Sequence, residues 1–327
     1  MKTGSEITPA VTAPAGKSRL LLAVDGGGSK TLALVASLDE NGLIDVLGRG
    51  HGGPSNLKLA GKEQSLDSLD QAIDEALANA HRPGQNLDCA VLALAGSTSP
   101  DVQRDVSEWA EKRKLSSRVK IVRDADPVLA FGTKNGWGVA LIVGTGSVAV
   151  GLDTAGNSVT KGGWGHWFGD KGSGFYLGYK ALAAVAEASD DIGPETILSE
   201  MVMKSLGTTE PRSILEEVSA GGDMRREVAA LAPVVMNAAQ RQDSVAIRII
   251  ISAVTEAVKL VAAVTKTLQF DSPYPLAVAG GVVCNSKLFQ RELTSQLGKL
   301  EPPPGKVKMV EEPVMGCLII GRRGLET

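Results

Sequence analysis

Short apolar runs alternate with small and polar stretches along the chain, and their lengths set the predicted elements. Residues 20–24 are apolar and read as a buried strand, 31–38 as a second and 43–48 as a third, with a turn at 39–42. These form an antiparallel meander. Leu66, Leu69, Ile73 and Leu77 recur at helical spacing, so 58–80 is predicted helical. A strand at 89–94, a helix at 102–112, a strand at 119–122 and a helix start at 128–132 follow, with Pro127 suited to a first helical position. Then 139–143, 148–152 and 158–161 repeat the opening meander. Two such openings roughly 120 residues apart predict a duplicated, two-lobed fold. Beyond 179 the pattern is mostly helical: 180–188, 195–206, 211–218, 225–240 and 243–268. A strand at 274–279, a helix at 285–297, a break at Pro302–304, a strand at 307–310 and a helix at 314–322 complete the chain. The stretches 49–57 and 162–178 are glycine-dense and read as loops.

Composition narrows the classes. The 327 residues are enough for two domains, and 43% hydrophobic with 22% charged is the balance of a globular protein. Aromatics are only 4%, which leaves the core to Leu, Val, Ile and Ala. A net charge of -3 argues against nucleic acid as the partner. Cys89, Cys284 and Cys317 have no paired spacing and read as small buried hydrophobes of a reducing compartment. His51, His81 and His166 have no metal-ligand spacing. Residues 1–18 lack an apolar signal core and are expected to form a disordered tail. The longest apolar stretch, 245–264, carries Arg248, Glu256 and Lys259, so no membrane span is expected and the predicted location is the cytoplasm.

Candidate chemistry centres on two glycine turns. The first strand ends at Asp25, followed by Gly26, Gly27, Gly28, Ser29, Lys30 and Thr31. Bare backbone amides in a tight turn cradle phosphate, and Asp25 beside a phosphate is consistent if Mg²⁺ lies between them. An ordinary glycine-rich hairpin is the alternative. Ser29 before Lys30 excludes a Walker A loop. Gly144, Thr145, Gly146 and Ser147 form the second turn; its match to a dinucleotide fingerprint lacks the required following helix. Asn56, at a loop end, reads as a helix cap. The segment 162–178, with Trp164 and Trp167, is either a shaped binding loop or a packed one.

Taken together, DGGGSKT at 25–31, GTGS at 144–147, GGWGHWFGDKGSG at 162–174 and AGG at 279–281 resemble the BadF/BadG-type ATPase family. That family belongs to the sugar kinase, actin and heat-shock ATPase superfamily, and the GGWG and GD-x-GS motifs look most like its N-acetylglucosamine kinase and glucosamine kinase branch. The resemblance covers Arg19 to the C-terminus. It implies an α/β fold of two ribonuclease-H-like lobes, 19–124 and 125–311, with a helix at 312–327 returning to the first lobe and ATP in the cleft. It implies Asp25 as the Mg²⁺ ligand, Gly26 to Thr31 and Gly144 to Ser147 as phosphate loops, and Gly280 and Gly281 against the adenosine. Asp124 would be the catalytic base, and Asn56, Trp164, Gly165 and Asp170 would contact the sugar. The expected reaction is phosphorylation of an amino sugar, N-acetylglucosamine or glucosamine, at the 6-hydroxyl by a homodimer. Asp126, two residues from Asp124, is expected to cap a helix. Many relatives carry an acidic residue where this chain has Lys171, which puts a positive charge near the expected sugar pocket. Two other readings share the fold. An ATPase activator of an iron–sulfur 2-hydroxyacyl-CoA dehydratase needs closely placed cysteines, which Cys89, Cys284 and Cys317 do not offer. A non-catalytic sugar sensor would have no use for both Asp25 and Asp124.

Overall fold

Ten strands form two five-stranded sheets with the same internal order. The computed structural model of the chain describes residues 18–326 apart from Gln85, Gly221 and Ser272. The tail expected over 1–18 lies, save for Ser18, outside the described residues. The first unit runs β1 (Arg19–Gly26), β2 (Thr31–Leu38), β3 (Ile44–Gly52), α1 (Leu57–Ala60), α2 (Lys62–Asn79), β4 (Cys89–Leu94), α3 (Pro100–Lys112), β5 (Val119–Arg123) and α4 (Ala125–Gly132). The second runs β6 (Gly138–Val143), β7 (Ser147–Leu152), β8 (Ser158–Gly162), α5 (Gly174–Ser189), α6 (Leu198–Leu206), α7 (Ile214–Ala220), α8 (Met224–Ala230), α9 (Ala232–Gln240), α10 (Ser244–Leu268), β9 (Tyr274–Ala279), α11 (Gly281–Asn285), α12 (Lys287–Leu297), β10 (Pro304–Val310) and α13 (Val314–Glu326).

In the first sheet, ordered β3-β2-β1-β4-β5, the first three strands pair antiparallel and β4 and β5 join β1 in parallel. In the second, ordered β10-β9-β6-β7-β8, the same pattern recurs with β6 in the place of β1. The duplication visible in the hydrophobic pattern is thus a repeated topology. Leu21 to Val24 and all of β4 are buried, because helices cover both sheet faces. On the first sheet, Leu22, Val24 and Val35 meet Leu69 and Ile73 of α2, while Leu21 and Ala23 meet Cys317 and Leu318 of α13. On the second, Leu141 and Val143 face a large core with α5, α9 and α10, while Ala140, Val150 and Ala277 meet Val128 and Leu129 of α4.

Several boundaries differ from the sequence pattern for identifiable reasons. The strand expected at 43–48 continues to Gly52, through half of the stretch read as a loop. Gly48, Gly50 and Gly52 share one face of β3, and a Cβ on any of them would collide with the backbone of α2. The helix expected at 58–80 is broken by Gly61 at φ +85, which gives α1 and α2. The loop expected to run to 178 ends at Ser173, whose side chain caps α5 by accepting the N–H of Tyr176. The 225–240 helix divides into α8 and α9, with Pro233 in the first turn of the latter. Pro127 is the third residue of α4 rather than the first.

Candidate active site

The first glycine turn joins β1 to β2 at the C-terminal edge of the first sheet. Gly27 N–H donates to Lys30 O at 3.1 Å and closes it. Ser55 N–H donates to Gly27 O at 3.0 Å, and Thr31 Oγ1 lies 2.7 Å from both Gly53 O and Ser55 Oγ. Thr31 is fully buried, so it ties the turn to the loop before α1 and offers nothing to a ligand. That tie also fixes Asn56, which follows Ser55. Asn56 caps α1, with Oδ1 accepting Lys58 N–H at 3.1 Å, and the same oxygen would lie 3.4 Å from a Cβ on Gly96 beyond β4. The cap engages the carboxamide oxygen of Asn56.

The second turn joins β6 to β7. Gly144 N–H donates to Gly146 O at 2.9 Å, and the first residues of α5 hold the turn from behind: Gly174 N–H to Gly144 O at 2.7 Å and Phe175 N–H to Thr145 O at 3.2 Å. Ser147 is buried, its N–H donating to Asp170 Oδ1 at 3.0 Å and its hydroxyl to Lys171 O at 2.8 Å. Ser147 therefore braces the turn from inside. Asp170, itself 4% exposed, backs the same turn, and glycine is required at 146 because a Cβ there would sit 2.7 Å from Asp170 Oδ1. Gly280, at φ +109, closes β9 against the same place, and a Cβ on it would enter the Val143 carbonyl. Gly281 begins α11 in an exposed position.

The two turns meet. Ser29 Oγ and Thr145 Oγ1 are 2.9 Å apart, across 116 residues of sequence. Two carboxylates, Asp25 and Asp124, lie at the ends of β1 and β5, the parallel strands on either side of β4. Asp25 is half-buried, and its pKa is pushed from 3.8 up to about 7, first by withdrawal from water and then by the charge of Asp124, with Lys30 partly opposing. Asp124 is pushed the same way, again chiefly by burial, while the N–H of Ala125 pulls it back and Asp126 adds to the rise. Asp124 occupies the position before α4 but its side chain makes no capping hydrogen bond. Nor does Asp126 cap that helix. It is the second helical residue, accepts Arg123 N–H at 2.9 Å and pairs with the Arg123 guanidinium at 2.7 Å. The expected cap is thus an ion pair.

The loop between β8 and α5 carries Trp164, 75% exposed, with Trp167 and Phe168 also largely exposed. They are not packed plugs. Gly165, at φ +78, accepts Gly169 N–H at 2.8 Å and keeps open space where a Cβ would be. One cleft residue escaped the sequence reading altogether. Arg225 of α8 places Nη2 3.5 Å from Asp170 Oδ2 and Nη1 3.6 Å from the position of a Cβ on Gly28. In sequence it merely opens a helical run. Cys89 and Cys317 lie in the first lobe's core, and burial beside Asp25 pushes the Cys317 thiol well above its usual range.

The donor set suits Mg²⁺ held jointly with a nucleotide. Among the described residues no group of three His, Cys, Asp or Glu side chains forms a metal cage. Mg²⁺ characteristically takes one or two carboxylates and completes its shell with phosphate and water. A carboxylate as costly to ionise as Asp25, beside a phosphate-shaped turn, matches that habit.

Comparison with known proteins agrees with the geometry. The family model described as BadF/BadG/BcrA/BcrD ATPase family matches residues 22–314. An N-acetylmuramic acid/N-acetylglucosamine kinase of Clostridium acetobutylicum is 30% identical over 308 residues, covering 93% of this chain and 98% of its own. An N-acetyl-D-glucosamine kinase of Dictyostelium discoideum is 26% identical over 313 residues, 92% of this chain and 97% of that one. A solved structure from Chromobacterium violaceum, provisionally described as an N-acetylglucosamine kinase, superposes with a TM-score of 0.69 at 24% identity, covering 92% of this chain and 98% of that one.

Proposed function

The chain belongs to the BadF/BadG/BcrA/BcrD ATPase family, and on that premise we propose that it is an ATP-dependent amino-sugar kinase acting on the 6-hydroxyl of N-acetylglucosamine or glucosamine. Its fold is the two-lobed, actin-like ATPase fold of sugar kinases. The reading divides it into lobes 19–124 and 125–311, with 312–327 returning to the first lobe, and takes the working form as a cytoplasmic homodimer. Among the described residues no helix is long and apolar enough to cross a membrane.

One observation carries the proposal: the Ser29–Thr145 contact joins the two glycine turns, the first of which follows Asp25, whose carboxylate feels the charge of Asp124. A polyphosphate gripped from both sides there puts its terminal phosphorus near a carboxylate of raised basicity. Phosphoryl transfer asks for charge neutralisation, an in-line acceptor and a proton sink. The turns 26–31 and 144–147, whose Gly27 and Gly144 amides are engaged within the turns themselves, would take the phosphates through their remaining amides, the Ser29 and Thr145 hydroxyls and Lys30. Asp25 would hold Mg²⁺, which when bound supplies charge neutralisation to the phosphate oxygens. Gly280 and Gly281 would let the adenosine lie on backbone. Asn56, Trp164 and Gly165 would position the sugar, with Asp170 supporting them through the second turn. Asp124 would accept the proton of the attacking hydroxyl as the new oxygen–phosphorus bond forms and ADP departs.

The test is ADP release measured over a panel of amino sugars, N-acetylglucosamine, glucosamine and N-acetylmuramic acid among them. Sugar-dependent release is expected, with the phosphate found on carbon 6 by NMR. Release without sugar would favour the activator reading, and no release would favour the sensor. Asp124→Asn should keep sugar affinity and lower kcat by about 10²–10⁴-fold. Undiminished turnover in that variant removes Asp124 as the base.

A further inference from the structure

Arg225 is a cation in the cleft that the turns and carboxylates leave unexplained. Its guanidinium faces both turns at once: Nη1 toward Gly28 of the first, and Nη2 3.5 Å from Asp170 Oδ2, whose other oxygen accepts the N–H of Ser147 in the second. The side chain is 17% exposed and that of Asp170 4%. Gly178 of α5 admits the Val228 carbonyl of α8, so the helix bearing Arg225 is seated against the helix that buttresses the second turn.

The pair is incompletely satisfied. A charge-assisted N–H to carboxylate bond is about 2.7–2.9 Å long, well short of the 3.5 Å found here. Asp170 Oδ2 and Arg225 Nε are both buried and have no hydrogen-bond partner among the described residues. Buried charged groups left short of partners are costly, and two of them side by side next to the first turn mark a place that a ligand completes. Arginine offers only donors, in a planar fork that matches the oxygens of a phosphoryl group. The group it would meet lies between Gly28 and the second turn, which is where the terminal phosphate of a nucleotide held by both turns must lie.

We propose that Arg225 is a further catalytic residue, one that binds the terminal phosphoryl group of the nucleotide and stabilises its charge during transfer. Asp170 steadies the guanidinium from one side, and the phosphoryl oxygens take over its donors when nucleotide binds. As transfer proceeds, the bond from the acceptor hydroxyl oxygen to the γ-phosphorus forms and the bond to the bridging oxygen of ADP breaks. The hydroxyl proton goes to Asp124, and Arg225 faces the oxygens on which charge is spread. This rests on the kinase reading above.

The test compares wild type, R225A and R225K by calorimetric titration with ADP and with the β,γ-imido analogue of ATP, in Mg²⁺ and without sugar. In R225A the ratio of triphosphate to diphosphate affinity should fall about tenfold, a change of about 1.4 kcal/mol, with ADP affinity kept. R225K should fall between, since a lysine supplies charge without the fork. Turnover of R225A with the best sugar should drop about 10²–10³-fold, and free guanidinium should restore part of it. An unchanged affinity ratio overturns the proposal. So does equal loss of both nucleotides with a lowered Tm, the mark of a structural brace. If R225A does not fold, R225K carries the same comparison. The affinity ratio is read without sugar, so a wild type that phosphorylates no sugar while the ratio shifts refutes the kinase reading and leaves the phosphate contact standing.

Discussion

Asp25 lies near the end of a buried strand, half-buried and close enough to Asp124 to feel its charge. Loss of hydration outweighs every other influence on it, and Lys30 relieves only part of the cost. In the unfolded chain this group gives up its proton near 3.8; in the folded chain it keeps it to about 7. Between those values the folded state binds a proton that the unfolded state lacks, so stability must fall as pH rises across the interval. Asp124, shifted in the same direction, adds to the slope. The Tm of the nucleotide-free protein should therefore decline from about pH 4 to pH 7. Asp25→Asn should flatten that decline and raise the Tm at neutral pH while abolishing Mg²⁺-dependent nucleotide binding. A thermal-shift series across this range checks it; an equal slope in wild type and variant would refute the assignment of the cost to Asp25. Asp25 stood out in the sequence because it follows directly on an apolar strand, and Asp124 was singled out through the family resemblance. Arg225 was not, because it reaches the cleft through the packing of α8 on α5, and no local pattern encodes that.

The loop between β8 and α5 and the strand β3 share a lesson at the scale of elements. Strand interiors such as β1, β4, β6 and β9 could be read directly, since burial on both faces demands unbroken apolar runs. The outer half of β3 could not. Its glycines look like loop composition, yet they are there because α2 lies on the strand, and that reason sits some 20 residues away in sequence. The start of α5 was hidden the same way: the small residues of GSGFYLG admit the second turn and α8, and a lone Ser173 supplies the cap. The loop before it keeps three aromatic side chains in solvent, which costs hydrophobic free energy unless something covers them in use. Trp164 is expected to be covered by the sugar. Trp164→Ala should raise the sugar KM about 3–10-fold, the worth of one aromatic contact, with ATP KM little changed. Tryptophan fluorescence should respond to sugar in the wild type and lose most of that response in the variant. A full response in the variant would assign the cover to Trp167 or to another element.

At the scale of the whole molecule, each sheet is completed by a helix from the other unit. The chain leaves β5 through Asp124 and lays α4 on the second sheet, then leaves β10 and returns α13 to the first. The two helices cross where Gly316 admits the carbonyl of Pro127 so closely that a Cβ there would collide with it. The lobes thus touch at this helix crossing and at Ser29–Thr145. Asp124 directly precedes α4, so a rotation about the crossing would change how the proposed base sits relative to the second phosphate turn. Closure on sugar and nucleotide would then exclude water that would otherwise accept the phosphoryl group. A methyl at 316 acts as a wedge at the crossing, where Gly316 meets Pro127. Gly316→Ala should cost about 1–3 kcal/mol in stability, the range for overpacking a tight contact, and should raise both the ATP and sugar KM. Small-angle scattering should show wild type compacting when sugar and the ATP analogue are added together, and the variant compacting less. Asp124→Asn, which changes chemistry and not shape, should compact fully. Equal compaction of the wild type and the Gly316→Ala variant would show that the lobes do not pivot at this crossing, and the shared loss of affinity for both substrates would then have to arise within one lobe.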